Sequence, residues 1–402
     1  MKRLYYRAFQ KGFKIGSHVL PWRRPVRLCG YEGLVDLLTR QVCGSVLIVT
    51  DKGVISAGLH LELVAALKAA NIRCTIFDKT VQNPTVDNIE QALLDYRWNG
   101  CSAIIALGGG SAMDCAKGVG ACVARPKKSV TKLKGLFKVI LPMPLLIAIP
   151  TTAGSGSETT VAAVITDSRT KKKHVMMDTA LIPHYTLLNP ELTRGLPPFF
   201  TATTGMDALC HAVEAYIGQS NTKQTRADAL KAAELIFGNI YTAFTDGENL
   251  KARANMQKAA FLAGAAFTRA YVGNIHAISH ALSGQYGIPH GLANAVIMPH
   301  VLRIYGKAIH KPLWELARAA GLADETTPIT TGAARFIDAI CELNAKMGIP
   351  TKLSGLKTKD FPLLAARALK EANPLYPVPV IFDKGDVIVV LLRVMACEEG
   401  GE

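Results

Sequence analysis

The sequence predicts two domains of different class, an α/β domain built on a parallel sheet followed by an all-helical domain. Three observations carry that expectation. Short β-type runs alternate with amphipathic stretches up to about residue 190, and beyond Asn189-Pro190 the strand-type runs stop and Ala-rich helical periodicity takes over. The length, 402 residues with 49% in the hydrophobic set, is enough to bury two cores. The turn-rich stretch Asn189 to Pro198 marks the boundary, so the expected division is residues 1–190 and 191–402.

Taken in order, the first 27 residues carry eight Lys and Arg and no Asp or Glu. Within them Tyr5, Phe9, Phe13 and Leu20 share one face at helical spacing, opposite Arg7, Lys11 and Lys14, while Gly12 and Gly16 weaken the helix. The stripe is expected to pack on its own protein or on a subunit; weak contact with a membrane surface is the second reading and an organelle presequence the third. Strands follow at Ser45 to Thr50, Cys74 to Phe77, Ala103 to Leu107, Leu145 to Ile149 and Val161 to Ile165, separated by helical stretches such as His60 to Ala70, Val86 to Asn99 and Ala112 to Cys122. Helices are then expected at about 203–218, 224–238, 251–270, 291–304 and 328–347, with no internal repeat.

Composition excludes several classes. The longest apolar run, Val139 to Ile149, holds Pro142 and Pro144 and has 11 residues, against about 20 for a bilayer span. Forty-six Lys and Arg against 31 Asp and Glu leave +15, but much of it is local, at the N-terminus and in Arg125, Lys127, Lys128, Lys132, Lys134 and Lys138. No basic-aromatic platform accompanies it, so no nucleic-acid partner is expected. Nine cysteines without a CxxC pair point to free thiols, and no apolar leader with a cleavage site opens the chain; the expected location is cytoplasmic.

The chemistry-bearing segments come next. Gly108-Gly109-Gly110-Ser111 joins the strand Ala103 to Leu107 directly to a helix, the arrangement that aims backbone N–H groups and a positive helix end at a phosphate. It is not the GxGxxG fingerprint, and no acidic residue ends the next strand about 20 positions on, so the dinucleotide geometry differs from the ordinary one. Asp51, ending an earlier strand, is the candidate ribose contact and would repel a 2′-phosphate, favouring NAD over NADP; the alternative is a plain turn aspartate in Asp-Lys-Gly. Pro150 to Glu158 offers further hydroxyls and amides after another strand.

Five of the ten histidines lie between residues 211 and 300. Asp207 and His211 stand at i, i+4, His276 and His280 repeat the relation, and Pro289-His290-Gly291 opens another helix. An Asp and His set of this kind suits a borderline divalent ion, Fe(II), Zn(II), Mn(II) or Ni(II). Spacing leaves open whether His276 and His280 are both ligands or one handles protons. Cys210 falls one position off the Asp207/His211 face and reads as a packed thiol.

Five ordered segments resemble the iron-containing (group III) alcohol dehydrogenases: Gly108 to Asp114, Pro150 to Glu158, Gly205 to Tyr216, His276 to His280, and Pro289 to Asn294. The resemblance covers roughly residues 25 to 400 and implies a homo-oligomer, a homodimer in the simplest case, with an N-terminal NAD-binding domain, a helical metal domain and an active site in the cleft between them. It implies Asp207, His211, His276 and His290 as metal ligands and His280 as the proton-handling residue. It implies Gly108, Gly109, Gly110, Ser111, Asp114, Thr151, Thr152 and Lys173 at the cofactor, with Asp51 at its adenosine ribose. The complete Asp-His-His-His set is nearer the iron-type group than the zinc-holding glycerol dehydrogenases. The implied reaction interconverts a primary alcohol and its aldehyde by hydride transfer. The rivals are a hydroxyacid-oxoacid transhydrogenase or another NAD and metal enzyme of the superfamily and, more distantly, a metal-dependent hydrolase, in which the glycine turn would have no role.

Overall fold

The computed structural model describes residues 1–17, 20, 22–168 and 173–396. The chain forms two compact units, one of residues 21–195 and one of residues 1–20 with 196–402.

The first unit holds a six-stranded parallel sheet. Its strands are β1 (Val26–Arg27), β2 (Ser45–Val49), β3 (Arg73–Phe77), β4 (Ala103–Gly108), β6 (Leu145–Pro150) and β9 (Tyr185–Thr186), in the order β1-β9-β6-β4-β2-β3. A small second sheet joins β5 (Gly135–Leu136), β7 (Ala162–Thr166) and β8 (Lys173–Met177). The central strands are apolar on both faces, as a sheet covered on two sides requires. Val46, Ile48, Ile105 and Ile147 enter one core with Leu34, Leu37 and Leu38 of α2 (Gly30–Arg40) and Leu63 and Leu67 of α4 (Leu61–Ala69). Leu47, Val49, Ile104 and Leu146 enter the other with Ile89 and Ala92 of α5 (Val86–Trp98) and Met113 and Val119 of α6 (Gly110–Ala124). The chain leaves β2 for β3 on one side and returns to place β4 on the other, which opens a crevice at the carboxyl ends of β2 and β4. A short α3 (Lys52–Ser56) begins there.

The second unit is helical: α7 (Pro198–Ile217), α8 (Lys223–Thr245), α9 (Leu250–Ala270), α10 (Asn274–Tyr286), α11 (His290–Tyr305), α12 (His310–Ala319), α13 (Ile329–Lys346), α14 (Phe361–Ala372) and α15 (Lys384–Val394). The sequence pattern missed α12, α14 and α15, which cover the unit with only one buried face.

The N-terminal helix α1 (Lys2–Ser17) corrects two expectations. It belongs to the helical unit, not to the α/β unit as residues 1–190 implied. It also docks mainly by its polar face. Arg7 donates to the carbonyls of Val378 (2.6 Å) and Pro379 (2.8 Å), Gln10 to that of Tyr376 (2.7 Å) and Lys14 to that of Gln219 (2.9 Å). The carbonyls of residues 376–379 lie outside any helix or strand and need donors, which a guanidinium and an amide supply. Of the expected stripe, Phe13 packs edge-on against Tyr271, whereas Tyr5 and Phe9 are exposed.

No helix among the described residues is long and apolar enough to cross a membrane. The eight cysteines among them are free thiols.

Candidate active site

In the α/β unit, β2 ends at Val49 and, after Thr50, Asp51 caps α3, its Oδ1 accepting from the Val54 amide at 3.0 Å. Its other oxygen, Oδ2, points toward Gly108 and lies 3.4 Å from where a Cβ on that glycine would stand. The structure therefore brings Asp51 to the glycine turn across the crevice between β2 and β4. Gly108 has φ +152°, and a Cβ there would also stand 2.7 Å from Ala112 Cβ, so only glycine fits. Gly109 is the N-cap of α6 without a side-chain cap, which leaves the first N–H groups of a 15-residue helix without intrahelical partners. An uncapped helix start of this kind is suited to an anion. Thr151 is tied to it through its amide, 3.0 Å from the Gly108 carbonyl; a Cβ on Gly109 would meet Thr152 in ordinary contact; and Ser111 Oγ accepts from the Asn83 amide. Lys173 opens β8 in the small sheet, exposed and opposite Thr166.

Asp114, on the first turns of α6, faces the loop that follows β6. Its two oxygens accept from Ser157 Oγ (2.8 Å) and the Val164 amide (2.9 Å), so it braces the Pro150 to Glu158 loop. Beside it is a residue that sequence reasoning missed. Lys117, wholly buried, donates to Ser157 Oγ, Thr160 Oγ1 and the carbonyls of Thr160 and Ala162, all within 3.1 Å. Burial pulls the ammonium down to about 8 even with Asp114 and Glu158 near, and pushes the buried Glu158 carboxyl up to about 7. The signal was present as Asp114 and Lys117 at i, i+3 on α6.

In the helical unit, α7 presents Asp207 and His211, α10 presents His276 and His280, and α11 starts at His290. Gly291 makes this possible: a Cβ there would lie 2.4 Å from the Thr203 carbonyl oxygen, so α11 crosses α7 at a distance no side chain allows and His290 is pressed against Asp207. Asp207 Oδ1 is 3.5 Å from His290 Nε2 and 3.8 Å from His276 Nε2. Two ligand atoms on a tetrahedral ion with bonds of about 2.1–2.2 Å are about 3.4–3.6 Å apart, so the donors suit a divalent ion. Asp207, His276 and His290 converge as a possible ligand trio. His211 lies beside them, its ring stacked on those of His276 (4.5 Å) and Phe267 (4.1 Å), and is not part of that trio.

Carboxylates and hydroxyls orient these rings. Buried Glu214 accepts from the Gly273 and Ile275 amides and stands 2.6 Å from His276 Nδ1. The hydrogen place on Nδ1 turns the Nε2 lone pair toward Asp207. Burial raises Glu214 to about 7 against these hydrogen bonds, and burial with three neighbouring histidines holds His276 well below the ordinary imidazole range, in the neutral form a ligand requires. Ser279 Oγ is 3.1 Å from His290 Nδ1 and does the same for that ring. Asn294, at the end of the Pro289 to Asn294 segment, has its amide nitrogen 2.7 Å from Asp207 Oδ1, 3.1 Å from His276 Nε2 and 3.0 Å from His290 Nε2, so three acceptors converge on one point. Cys210 is fully buried, 3.7 Å from His276 Nδ1, and burial keeps its thiol protonated.

Both halves match known families. Residues 31–190 match the family model described as iron-containing alcohol dehydrogenase, and residues 201–395 the one described as Fe-containing alcohol dehydrogenase family, C-terminal. The chain belongs to the iron-containing alcohol dehydrogenase family. It is 40% identical over 331 residues to the 1,3-propanediol dehydrogenase of Citrobacter freundii, spanning 81% of this chain and 85% of that one. It is 39% identical over 339 residues to alcohol dehydrogenase 4 of Schizosaccharomyces pombe, covering 82% and 79%. The crystal structure of a 1,3-propanediol oxidoreductase superposes with a TM-score of 0.89 at 34% identity, covering 94% of this chain and all of that one. A sulfoacetaldehyde reductase from Bifidobacterium kashiwanohense, crystallised with NAD+, gives 0.83 at 27% identity, covering 94% of this chain and 100% of that one. Membership makes the chain an oxidoreductase of the alcohol dehydrogenase type. The helix α1 lies outside both family-model matches.

Proposed function

We propose that this enzyme interconverts a small primary alcohol and its aldehyde by hydride exchange with NAD, using a divalent metal, Fe(II) in the first place and Zn(II) as the alternative. The observation that carries the reading is the convergence of Asp207, His276 and His290, with Asp207 Oδ1 3.5 Å and 3.8 Å from the two imidazole nitrogens. His211, on the same face of α7 as Asp207, completes the proposed ligand set. An ion held there supplies Lewis-acid polarisation of the substrate hydroxyl.

The chain's own groups do the rest. Glu214 and Ser279 hold the tautomers of His276 and His290. His280, one turn along α10 and partly exposed, takes the hydroxyl proton on Nε2 and passes it to solvent, for which an imidazole is suited. The uncapped N–H groups of α6 with Gly108, Gly109, Gly110 and Ser111 hold the pyrophosphate, and Thr151, Thr152 and Lys173 belong to the same cofactor surface. Asp51 accepts from the adenosine ribose hydroxyls, and its charge disfavours a 2′-phosphate. Relatives named lactaldehyde reductase, from Escherichia coli, and NAD-dependent methanol dehydrogenase, from Bacillus methanolicus, support a small hydroxyl or carbonyl substrate. A homo-oligomer is part of the proposal.

Anaerobic reconstitution with Fe(II), and in parallel with Zn(II), followed by NADH absorbance against primary alcohols, diols and hydroxyacids tests the reading. Metal-dependent NADH formation from an alcohol supports it. Turnover without a dinucleotide, or a nicotinamide released only on denaturation, overturns it in favour of a hydrolase or a transhydrogenase.

A further inference from the structure

His280 does not stand alone. Its Nδ1 lies 2.5 Å from Glu371 Oε1, at the end of α14, and the same oxygen accepts the phenol hydrogen of Tyr376 at 2.8 Å. Tyr376 is itself anchored, since its carbonyl accepts from Gln10 of α1. The His280 ring lies nearly parallel to that of His290, 4.8 Å away, so its plane is set by the stack and its rotation by Glu371.

We propose that Glu371 is the positioning residue of this dehydrogenase, holding His280 in the one tautomer and ring rotation that its part in the reaction needs. A carboxylate offers no hydrogen, and Glu371 is already an acceptor for Tyr376, so the hydrogen between Glu371 and His280 belongs to Nδ1. Nε2 is then the acceptor nitrogen. In alcohol oxidation the substrate O–H bond breaks as the carbinol C–H pair leaves as hydride for the nicotinamide; the proton goes to Nε2, Nδ1 keeps its own, and Glu371 stays a carboxylate throughout. With Nδ1 unbonded the ring can take the other tautomer or turn over, and either presents an N–H where the acceptor must be. Burial works to raise the Glu371 carboxyl, but His280 and the hydrogen bonds from His280 and Tyr376 hold it below the usual range. Nothing local in the sequence announces the pair, since 91 positions separate its members.

This inference rests on the alcohol dehydrogenase reading, and its test separates the two. Glu371→Leu removes the acceptor at similar volume, and Glu371→Gln keeps an oxygen that can accept from Nδ1 while removing the charge. In the Zn(II)-loaded protein, the imidazole 15N signals that disappear in His280→Ala report the tautomer directly, without turnover. The expected result is a protonated Nδ1 in the wild type and in Glu371→Gln, and mixed tautomers in Glu371→Leu. In turnover, Glu371→Leu should lower kcat by on the order of 10- to 100-fold with metal content and the KM for NAD unchanged, and Glu371→Gln should recover to within about 3-fold of wild type. Equal losses in both variants, no loss in Glu371→Leu, loss of metal, or an Nδ1 without hydrogen in the wild type would each overturn it. A wild type that forms no NADH from any alcohol overturns the reaction assignment, and the 15N result still decides the Glu371–His280 pair.

Discussion

The glycine turn of the α/β unit and the histidine cluster of the helical unit are built on opposite plans. In the first, the groups proposed to meet a ligand are backbone N–H groups at the start of α6, and Asp114 and Lys117 of the same helix brace the neighbouring 157–164 segment. In the second, the groups are side chains from α7, α10 and α11, held in rotation by Glu214, Ser279 and Glu371. A backbone site is broken by adding atoms, whereas a side-chain site is broken by removing them.

The largest expected effect tests the second plan. His290→Ala should lose bound metal and at least 100-fold in activity together, while His280→Ala keeps the metal and loses turnover; metal analysis alongside kcat decides, and equal metal loss in both would end the division of roles. The two glycines sharpen the contrast. Gly108→Ala should weaken NAD binding by about 10-fold or more and leave metal content alone. Gly291→Ala forces α11 away from the Thr203 carbonyl, so it should lower metal affinity and cost about 1–3 kcal/mol of stability, with NAD binding unchanged. Dinucleotide titration and metal analysis on both variants read this, and one variant damaging both sites equally would show the plans to be coupled.

A smaller effect concerns the bracing beneath the glycine turn. The Glu158 carboxyl is raised from 4.5 to about 7 in the folded chain, so the folded state binds its proton more tightly than the unfolded state does. Stability from that proton is fully present below about pH 4.5 and is lost as pH rises through about 7, with a slope no steeper than about 1.4 kcal/mol per pH unit. Glu158→Gln should flatten that slope in chemical denaturation across this window; an unchanged slope would locate the pH dependence elsewhere. The smallest effect is at the rim of the cradle. Asp51→Gly should shift the NAD to NADP preference by about 10-fold or less, and also lose the side-chain cap of α3 at a cost of roughly a few tenths of a kcal/mol. An unchanged cofactor ratio with the stability loss intact would leave Asp51 as a cap alone.

The same division explains what could be read without coordinates. The strands β2, β4 and β6 were legible because a sheet buried on both faces demands near-continuous apolar runs. The glycine turn was legible because strand, glycines and helix are consecutive. The Asp207/His211 and His276/His280 pairs were legible as spacing, since i, i+4 residues on a helix share a face, whereas the ligand assignment came from the family resemblance. The docking of α1 was misread because periodicity shows which face is apolar and not which face finds partners. Carbonyls around residue 378, far along the chain, proved the stronger partner for Arg7 and Gln10. What Asp114 touches was illegible for a related reason: a motif shows that a carboxylate recurs near the glycines, not that its oxygens accept from Ser157 and Val164.

By itself, then, the sequence determined the order of the elements, the faces they bury and the residue types available for chemistry, because helix and strand periodicities and turn glycines act between near neighbours. Only the tertiary structure decided which atoms meet. It set Asp51 beside Gly108 across the strand-order switch, pressed His290 against Asp207 through the bare Cα of Gly291, gathered three acceptors at Asn294, and placed Glu371 on His280. Such contacts depend on the packing of whole helices and on ångström-scale distances between side chains dozens of residues apart, which no local pattern encodes.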